Sequence, residues 1–219
     1  MTDTVRYPLV LGLISVCSAA GLAFSYSLTR DEIARQKLLD RDRGLAAVFG
    51  MPFKESDPTR PWREVSATAP AKGATPAPVF AASDPKTGNP MFAAMGSARG
   101  YCSRIDVIVS VNAAGGVGDA ARIRAIKVVG QSETPGLGNK SEEPGFQAQF
   151  EGLLLGRLEL RKGVPYRAPG APDDQPIAAI TGATITSSAV VKAVQQAIGR
   201  IRERAGAAPA PNQEGAAQP

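Results

Sequence analysis

Histidine is absent from this sequence of 219 residues, and cysteine occurs only twice, at Cys17 and Cys102. The lack of histidine removes the commonest general base and the commonest metal ligand. Two cysteines are too few for the four thiolates of an ordinary iron–sulfur cluster, and no Cys-x-x-Cys-His motif for c-type haem is present. We therefore predict no metal site, and any redox role for this chain requires an organic cofactor.

Aromatic residues are also scarce, at 5% of the chain, so the core must consist mainly of Val, Ile, Leu and Ala. The formal net charge is +5, but basic residues alternate with acidic ones, as they do between Thr29 and Arg35. The sequence has no basic stripe with interspersed aromatic residues, and we predict no nucleic-acid partner. It also lacks the Gly-x-Gly-x-x-Gly fingerprint of a nicotinamide dinucleotide site.

The stretch from Tyr7 to Leu28 contains no charged residue, and it is long enough for a helix to cross the hydrocarbon core of a bilayer. A cleaved signal peptide is the alternative. The run is longer than a typical signal-peptide core, however, and the only basic residue before it, Arg6, is accompanied by Asp3. We predict an uncleaved single-pass anchor over 7–28, in contact with lipid and preceded by a short tip over 1–6.

The charges on either side of this run bear on its orientation in the membrane. One basic residue, Arg6, precedes the run, and five follow it closely: Arg30, Arg35, Lys37, Arg41 and Arg43. Taken alone, the positive-inside rule would leave the domain that follows in the cytoplasm.

The remainder of the chain divides into a stalk, a domain and a tail. Residues 29–50 are predicted to form a stalk helix, since apolar residues recur with helical spacing from Ile33 to Phe49. A single domain is expected over 51–204, with an irregular Pro- and Ala-rich excursion over 66–90. The tail over 205–219 is rich in Ala, Pro, Gln and Gly and is predicted to be disordered.

Two β-branched runs and one amphipathic segment define the predicted secondary structure of the domain. Residues 104–112 and 123–130 are expected to form a hairpin around the Gly-rich turn at 115–118. Residues 187–204 are predicted to form a helix capped by Ser187 or Ser188. Residues 146–154, and those around Leu160, fit either a helix or a strand. The predicted fold class is α+β: one transmembrane helix, then a single domain with an antiparallel sheet and flanking helices.

The segment from Ile180 to Ser188, Ile-Thr-Gly-Ala-Thr-Ile-Thr-Ser-Ser, directly precedes this last helix. A turn of small residues at a helix N-terminus presents unpaired backbone N–H groups, which favour an anion such as phosphate. Gly182 allows close approach of the backbone or a positive φ angle. An ordinary capped helix start fits the same residues, so local chemistry alone leaves both interpretations open.

The Thr-Gly-Ala-Thr sequence followed by Ile-Thr-Ser resembles the flavinylation motif of FMN-binding domains. These domains occur in the G subunit of the Rnf electron transport complex and in the C subunit of the sodium-pumping NADH:quinone reductase. In that family a dedicated flavin transferase esterifies the FMN phosphate to the last Thr of the motif, which corresponds to Thr184. A second Gly-Ala-Thr, ending at Thr75, is preceded by Lys72, is followed by Pro76 and starts no helix, so we interpret it as chance.

A second segment, Glu-Thr-Pro-Gly-Leu-Gly from Glu133 to Gly138, resembles the same family at the expected distance upstream. Its Pro-Gly pair is also typical of a plain connecting turn. The resemblance implies hydrogen bonds from Glu133 and Thr134 to the flavin, and a charged contact from Lys140. The predicted FMN site comprises Thr184 as the attachment point and twelve further residues: Thr181, Gly182, Ala183, Thr186, Ser187, Glu133, Thr134, Pro135, Gly136, Leu137, Gly138 and Lys140.

The resemblance covers about residues 5–50 and 98–204, and it is closest to Rnf G subunits. It implies an electron-transfer subunit rather than a stand-alone catalyst, with FMN as cofactor and the FMN domain on the periplasmic side of the inner (plasma) membrane. Its partners would be the membrane flavoprotein and iron–sulfur subunits of a complex that couples ferredoxin:NAD⁺ electron transfer to Na⁺ or H⁺ translocation. Alternatives are the quinone-reductase C subunit, an unflavinylated structural anchor, and a stand-alone flavin enzyme, for which the sequence supplies no acid/base set.

One position departs from the family pattern. The transferase motif usually has an acidic residue three positions before Thr181, and Ala178 occupies that position here. The nearest acidic residues, Asp173 and Asp174, lie too early in the sequence. Non-covalent FMN is therefore an alternative to the ester.

Overall fold

The computed structural model describes residues 3–56, 59–65 and 78–205, with side chains from Tyr7 onward. The first part of the predicted excursion, at 66–77, and the tail from 206 lie outside the described residues, as do the first two residues of the predicted tip. The chain divides after Asp40 into two compact units.

The first unit consists of a single helix. Helix α1 extends over Asp3–Phe49, so the predicted anchor and stalk are one continuous helix whose last turns belong to the second unit. Its apolar residues between Tyr7 and Leu28 are largely exposed, and the helix is long and apolar enough to cross a membrane. The helix ends at Phe49 because Gly50 adopts a φ of 64°, the left-handed conformation that commonly terminates helices.

The second unit is built on a five-stranded antiparallel sheet whose strands follow one another in chain order. The strands are β1 (Arg63–Val65), β2 (Val79–Ser83), β3 (Pro90–Arg99), β4 (Arg104–Asn112) and β5 (Arg122–Gly130). The hairpin predicted from the two β-branched runs is present as β4 and β5. Two further short strands, β6 (Leu160–Arg161) and β7 (Ile177–Ala178), pair in parallel.

Two strands lie where the sequence predicted no regular structure. Strand β2 falls inside the excursion predicted over 66–90, and β3 begins at its last residue. Both strands are rich in Ala, which has low strand propensity, so their sequences gave no strand pattern. Pairing with β4 and burial on both faces hold β3 in the sheet.

Each face of the sheet is covered by a helix. Helix α3 (Thr184–Ala205) packs against one face, and its predicted apolar residues Val190, Val191, Val194, Ile198 and Ile201 are all buried there. The last turns of α1 cover the other face with Leu45, Val48 and Phe49, beside Trp62. Strand β4 alternates between the two cores, with Val107 and Val109 on the α3 side and Ile108 on the α1 side.

Between β5 and β6 the chain forms a 3-10 turn over Gly138–Glu142 and the short helix α2 (Pro144–Ala148). The sequence left residues 146–154 open between helix and strand. Phe146 of α2 and Phe150 are fully buried and pack edge to face, with ring centroids 5.8 Å apart. Helix α2 therefore anchors the chain between the two segments predicted to bind flavin.

Candidate functional site

The two segments that resemble the FMN-binding family meet at one cavity of about 460 Å³. One side comes from the loop after β5, and the other from the turn that starts α3. The residues that line the cavity are Tyr101, Glu133, Thr134, Leu137, Gly138, Gly182, Ala183, Thr184, Ile185 and Thr186. Segments about 50 residues apart in sequence thus meet at a single cavity.

Helix α3 presents its N-terminus to this cavity. The helix begins at Thr184, and the first helical hydrogen bond runs from the Ser187 N–H to the Ala183 carbonyl, at 3.0 Å. The N–H groups of the first turn of α3, which come before Ser187, have no partner within the helix, and the helix dipole adds positive potential there. This end of the cavity therefore suits a phosphate group.

The predicted capping role of Ser187 or Ser188 is not what the structure shows, because α3 starts three residues before Ser187. Inside the helix, the buried Ser187 hydroxyl donates to the Ala183 carbonyl and accepts the Ile180 N–H, both at 3.0 Å. Ser187 instead fixes the turn from Ile180 to Ala183 that carries the motif into the helix.

Among the five hydroxyl groups at this helix start, Thr184 is distinguished by its surroundings. Its half-buried side chain lines the cavity, and within the described residues its hydroxyl makes no hydrogen bond. The Thr186 hydroxyl also lines the cavity, but it is 1% exposed and donates to the Glu133 carboxylate at 2.8 Å. Thr181, Ser187 and Ser188 are not among the lining residues. Of the five hydroxyl groups at this helix start, that of Thr184 is therefore the one that lines the cavity without a partner among the described residues.

Glu133 is held entirely by groups of the protein. Its side chain is 7% exposed, and one carboxylate oxygen accepts the backbone N–H groups of Cys102 and Ser103, at 3.1 and 2.9 Å. The other oxygen accepts the Tyr101 N–H at 3.3 Å and the Thr186 hydroxyl. Burial by itself raises the pKa of Glu133, but hydrogen bonds from Ser103, Thr186 and Cys102 outweigh it, and the pKa lies below its usual value. Glu133 is therefore a buried anion at neutral pH.

Two glycines allow the segments to approach one another. A Cβ on Gly138 would lie 2.6 Å from the Glu133 Cβ and 2.9 Å from the Thr186 hydroxyl oxygen, which is closer than real Cβ contacts. Gly182 has a φ of 78°, and a Cβ there would lie 3.1 Å from a Leu137 methyl group. Side chains at either position would separate the loop after β5 from the start of α3.

Five of the predicted site residues do not line the cavity: Thr181, Pro135, Gly136, Lys140 and Ser187. Pro135 and Gly136 form the turn that directs Leu137 and Gly138 toward it, and Gly136 has a φ of 78°. Lys140 is half-buried in the 3-10 turn, where its N–H donates to the Leu137 carbonyl. Their predicted contacts with flavin stay predictions.

Sequence reasoning missed two lining residues, Tyr101 and Ile185. Tyr101 lies in the loop over 100–103 between β3 and β4, which carries no motif on which the prediction relied. Ser103 of this loop bonds to Glu133 across 30 positions of sequence, a contact that no local pattern could reveal. Ile185 was missed because it is an apolar residue between two hydroxyl residues, Thr184 and Thr186, to which the motif drew attention.

Ala178, where the family pattern has an acidic residue, lies in β7 and is fully buried. The side-chain amide of Gln149 binds its backbone on both sides, accepting the Ala178 N–H at 2.8 Å and donating to its carbonyl at 3.3 Å. This clamp fixes the strand that leads into the motif without a charged side chain.

The cavity fits FMN in both size and chemistry. Its volume lies in the range of about 300–1,000 Å³ typical of small-molecule sites. The N-terminus of α3 and the hydroxyl of Thr184 suit the phosphate, and Tyr101, Leu137 and Ile185 offer apolar surface to a planar ring. The fold and the cavity together define a domain suited to a flat ligand that carries a phosphate group, as FMN does.

Comparison with known proteins agrees with this class: residues 100–199 match the family model described as "FMN-binding domain". Similar proteins include the G subunit of the ion-translocating oxidoreductase complex of Aliivibrio fischeri, 30% identical over 90% of both chains. The G subunit of the proton-translocating ferredoxin:NAD(+) oxidoreductase complex of Clostridium ljungdahlii is 33% identical over 47% of this chain and 49% of that protein. The crystal structure of Shewanella oneidensis NqrC aligns at 24% identity with a TM-score of 0.49, over 60% of this chain and 62% of that chain.

The chain belongs to the family of G subunits of ion-translocating oxidoreductase complexes, which confirms the resemblance to Rnf G subunits.

Proposed function

We propose that this chain is a membrane-anchored electron carrier of an Rnf-type complex, with FMN esterified through its phosphate to Thr184. The observation that carries the proposal is the free Thr184 hydroxyl, which lines the cavity at the N-terminus of α3. FMN accepts one or two electrons, and the protein's part is to hold it and set its environment. Family membership supports the redox role, because the relatives named above are subunits of oxidoreductase complexes.

Formation of the ester requires an activated flavin nucleotide and a flavin transferase. The Thr184 oxygen forms a bond to the flavin-side phosphorus of a flavin phosphoanhydride. The bond between that phosphorus and the anhydride oxygen breaks, and the other phosphate fragment leaves with this oxygen. The hydroxyl proton is released and no electrons are exchanged. Thr184 is suited to this step because its hydroxyl is not engaged elsewhere among the described residues, whereas the Thr186 hydroxyl is bound to Glu133.

The cavity favours an electron carrier over a stand-alone flavin enzyme. Its described lining contains two ionisable side chains, Glu133 and Tyr101. Glu133 is held as an anion by protein donors, and the chain has no histidine to act as a general base near neutral pH. Electrons would therefore pass between FMN and neighbouring subunits, for which we propose the membrane flavoprotein and iron–sulfur subunits of the complex.

The apolar part of α1 supports a single-pass anchor in the inner membrane, and we place the FMN domain on the periplasmic side. A covalent tether has a clear purpose there, because FMN that dissociated from the protein would be lost from the cell. The positive-inside rule opposes this orientation, and acidic residues such as Asp31 and Glu32 count little in that rule. The resemblance to Rnf G subunits and the proposed maturation by a flavin transferase are what favour the periplasmic side.

The ester is tested by in-gel flavin fluorescence of the full chain, denatured after expression with the transferase. We expect a fluorescent band at the mass of the chain, its complete loss in Thr184→Ala, and its retention in Thr184→Ser, which keeps an alcohol. Thr75→Ala is the matched control, since it removes the threonine of the second Gly-Ala-Thr and should leave the band unchanged. A dark wild-type band, or a fluorescent band in Thr184→Ala, would contradict the proposal.

The orientation is tested through Cys102, which is exposed and, in a Cys17→Ser variant, is the only cysteine of the chain. We expect a membrane-impermeant maleimide to label this variant in intact spheroplasts that express the chain without its partner subunits. Labelling should not increase when the spheroplasts are lysed. Labelling only after lysis would place the domain in the cytoplasm.

A further inference from the structure

We propose that Glu133 is a positioning residue of the FMN site, and that it holds the loop over 100–103 so that Tyr101 contacts the planar ring of the flavin. This inference rests on the proposed function for the presence of FMN. It assigns Glu133 a different role from the direct hydrogen bond to flavin that the sequence implied.

The hydrogen bonds of Glu133 connect three separate parts of the cavity. Its carboxylate accepts consecutive backbone N–H groups from Tyr101, Cys102 and Ser103, and the Ser103 hydroxyl at 3.1 Å. It also accepts the Thr186 hydroxyl from the first turn of α3. The loop over 100–103, the loop after β5 and the flavin-bearing helix are thus joined at one carboxylate.

This set of donors leaves Glu133 poorly suited to bind a ligand directly. Five protein donors already occupy its two oxygens, which is more than the four lone-pair sites that a carboxylate offers. A second anion, the FMN phosphate, would be repelled rather than attracted by it. Its charge is instead balanced by the backbone N–H groups that it holds in place.

Gly100 shows how closely the loop sits on this carboxylate. A Cβ at that position would lie 2.6 Å from a Glu133 carboxylate oxygen and 2.8 Å from the Ile105 side chain. A side chain at this position would therefore have to displace the Glu133 carboxylate or the end of the Ile105 side chain. The next residue, Tyr101, is placed on the cavity by this approach.

Tyr101 has the surface expected of a flavin contact. Within the described part of the second unit, the large hydrophobic side chains that remain exposed are Tyr101, Leu137, Tyr166 and Ile185. Three of the four, all except Tyr166, line this one cavity. The Tyr101 side chain is 68% exposed, so most of its ring is available to a ligand. An aromatic ring, a Leu and an Ile around one opening match the flat apolar faces of an isoalloxazine.

The role of Glu133 is tested first without reference to flavin, by amide hydrogen exchange of the full chain in detergent. We expect Glu133→Gln to accelerate exchange at Tyr101, Cys102 and Ser103 by about tenfold, the factor expected when a charge-assisted hydrogen bond is lost. Glu151→Gln is the control, because Glu151 is an exposed acid beyond α2 and should leave this loop unchanged. Unchanged exchange over 101–103 in folded Glu133→Gln would overturn the positioning role.

The contact of Tyr101 is tested by flavin fluorescence of the native protein relative to the same sample after denaturation. A tyrosine against the ring quenches this fluorescence by donating an electron to the excited flavin. We expect Tyr101→Leu to raise the native fluorescence several-fold, and Tyr101→Trp, which restores an oxidisable ring, to return it to the wild-type level. Tyr166→Leu is the matched control, because Tyr166 is also a half-exposed tyrosine but packs on Phe146 outside the cavity lining.

Two further variants apply if Glu133→Gln does not fold. Thr186→Val removes the donor that links Glu133 to α3 and is expected to raise the native fluorescence, whereas Thr186→Ser keeps the donor and should match wild type.

Native fluorescence that stays at the wild-type level in Tyr101→Leu would overturn the contact between Tyr101 and the flavin ring. A dark denatured band in wild type would contradict the ester of the proposed function, and the exchange measurement would still decide the role of Glu133.

Discussion

Gly96→Ala is expected to lower the free energy of unfolding by about 3 kcal/mol, at the upper end of the usual cost of overpacking a core. Gly96 lies in β3 where α3 crosses the sheet, and its Cβ would lie 1.9 Å from the Ala193 carbonyl oxygen. The Ala197 backbone nitrogen would be only 3.0 Å away. Because these neighbours are helix backbone, they cannot turn aside as a side chain could, and α3 must move off the sheet.

The measurement is urea unfolding of the full chain in detergent, followed by the fluorescence of Trp62. Trp62 is the only tryptophan and is buried on the opposite face of the sheet, so it reports global unfolding. Gly199→Ala is the matched control, since Gly199 lies in α3 with open space around its Cβ position. That change should raise stability by roughly 0.5–1 kcal/mol through helix propensity. Equal effects of the two variants would contradict the packing of α3 on β3.

Gly138→Ala is expected to lower the FMN content of the purified chain several-fold and to reduce its stability by about 1–3 kcal/mol. The added methyl group would push against Glu133 and the Thr186 hydroxyl, where the loop after β5 meets α3. These two groups hold the cavity walls together, so the change acts on the flavin site as well as on stability.

The flavin content of Gly138→Ala is measured as the ratio of flavin to protein absorbance after denaturation. Gly145→Ala is the control in the same stretch of chain, because a Cβ at Gly145 would meet only the Tyr166 ring, at an ordinary 3.8 Å. Its flavin content should equal that of wild type. Full flavin loading of Gly138→Ala would show that this close approach is not needed for the site.

The parts of the fold that follow from local pattern could be predicted from the sequence. The β-branched run over 104–112 forms β4 with the predicted bounds, and the run over 123–130 forms β5 with one residue added. The apolar face of α3 is buried as predicted, although the helix starts at Thr184 rather than at Ser187. In each case the apolar residues recur with a regular spacing, and the face that they form is the buried one.

Strand β3 could not be predicted, because many of its residues have low strand propensity and are suited instead to close packing against α3. Its sequence, Pro-Met-Phe-Ala-Ala-Met-Gly-Ser-Ala-Arg, contains no β-branched residue. Small residues are nevertheless required where α3 approaches, as Gly96 shows. The same limit applies to the stalk, where the apolar stripe gave no sign that Ile33 and Leu38 stay exposed while Leu45 and Phe49 are buried.

Only the parts of the candidate site that lie within the two motifs could be predicted from the sequence. Thr184, Leu137 and Gly138, which belong to these motifs, line the cavity. The loop over 100–103 could not be found in this way, since its place depends on hydrogen bonds to Glu133 across about 30 residues of sequence. Glu133 itself was found. The resemblance implied a hydrogen bond from Glu133 to flavin, and we propose a positioning role instead, because a motif does not show which groups its residues contact.

The most direct test of the ester is tandem mass spectrometry of the tryptic peptide over 168–192, which contains all five hydroxyl residues of the motif. The protein is taken from cells that contain the flavin transferase. We expect this peptide to carry the mass of one FMN less one water, and fragmentation to place that mass on Thr184. An unmodified peptide, or a flavin located on Thr181, Thr186 or either serine, would contradict the assignment of Thr184 as the attachment site.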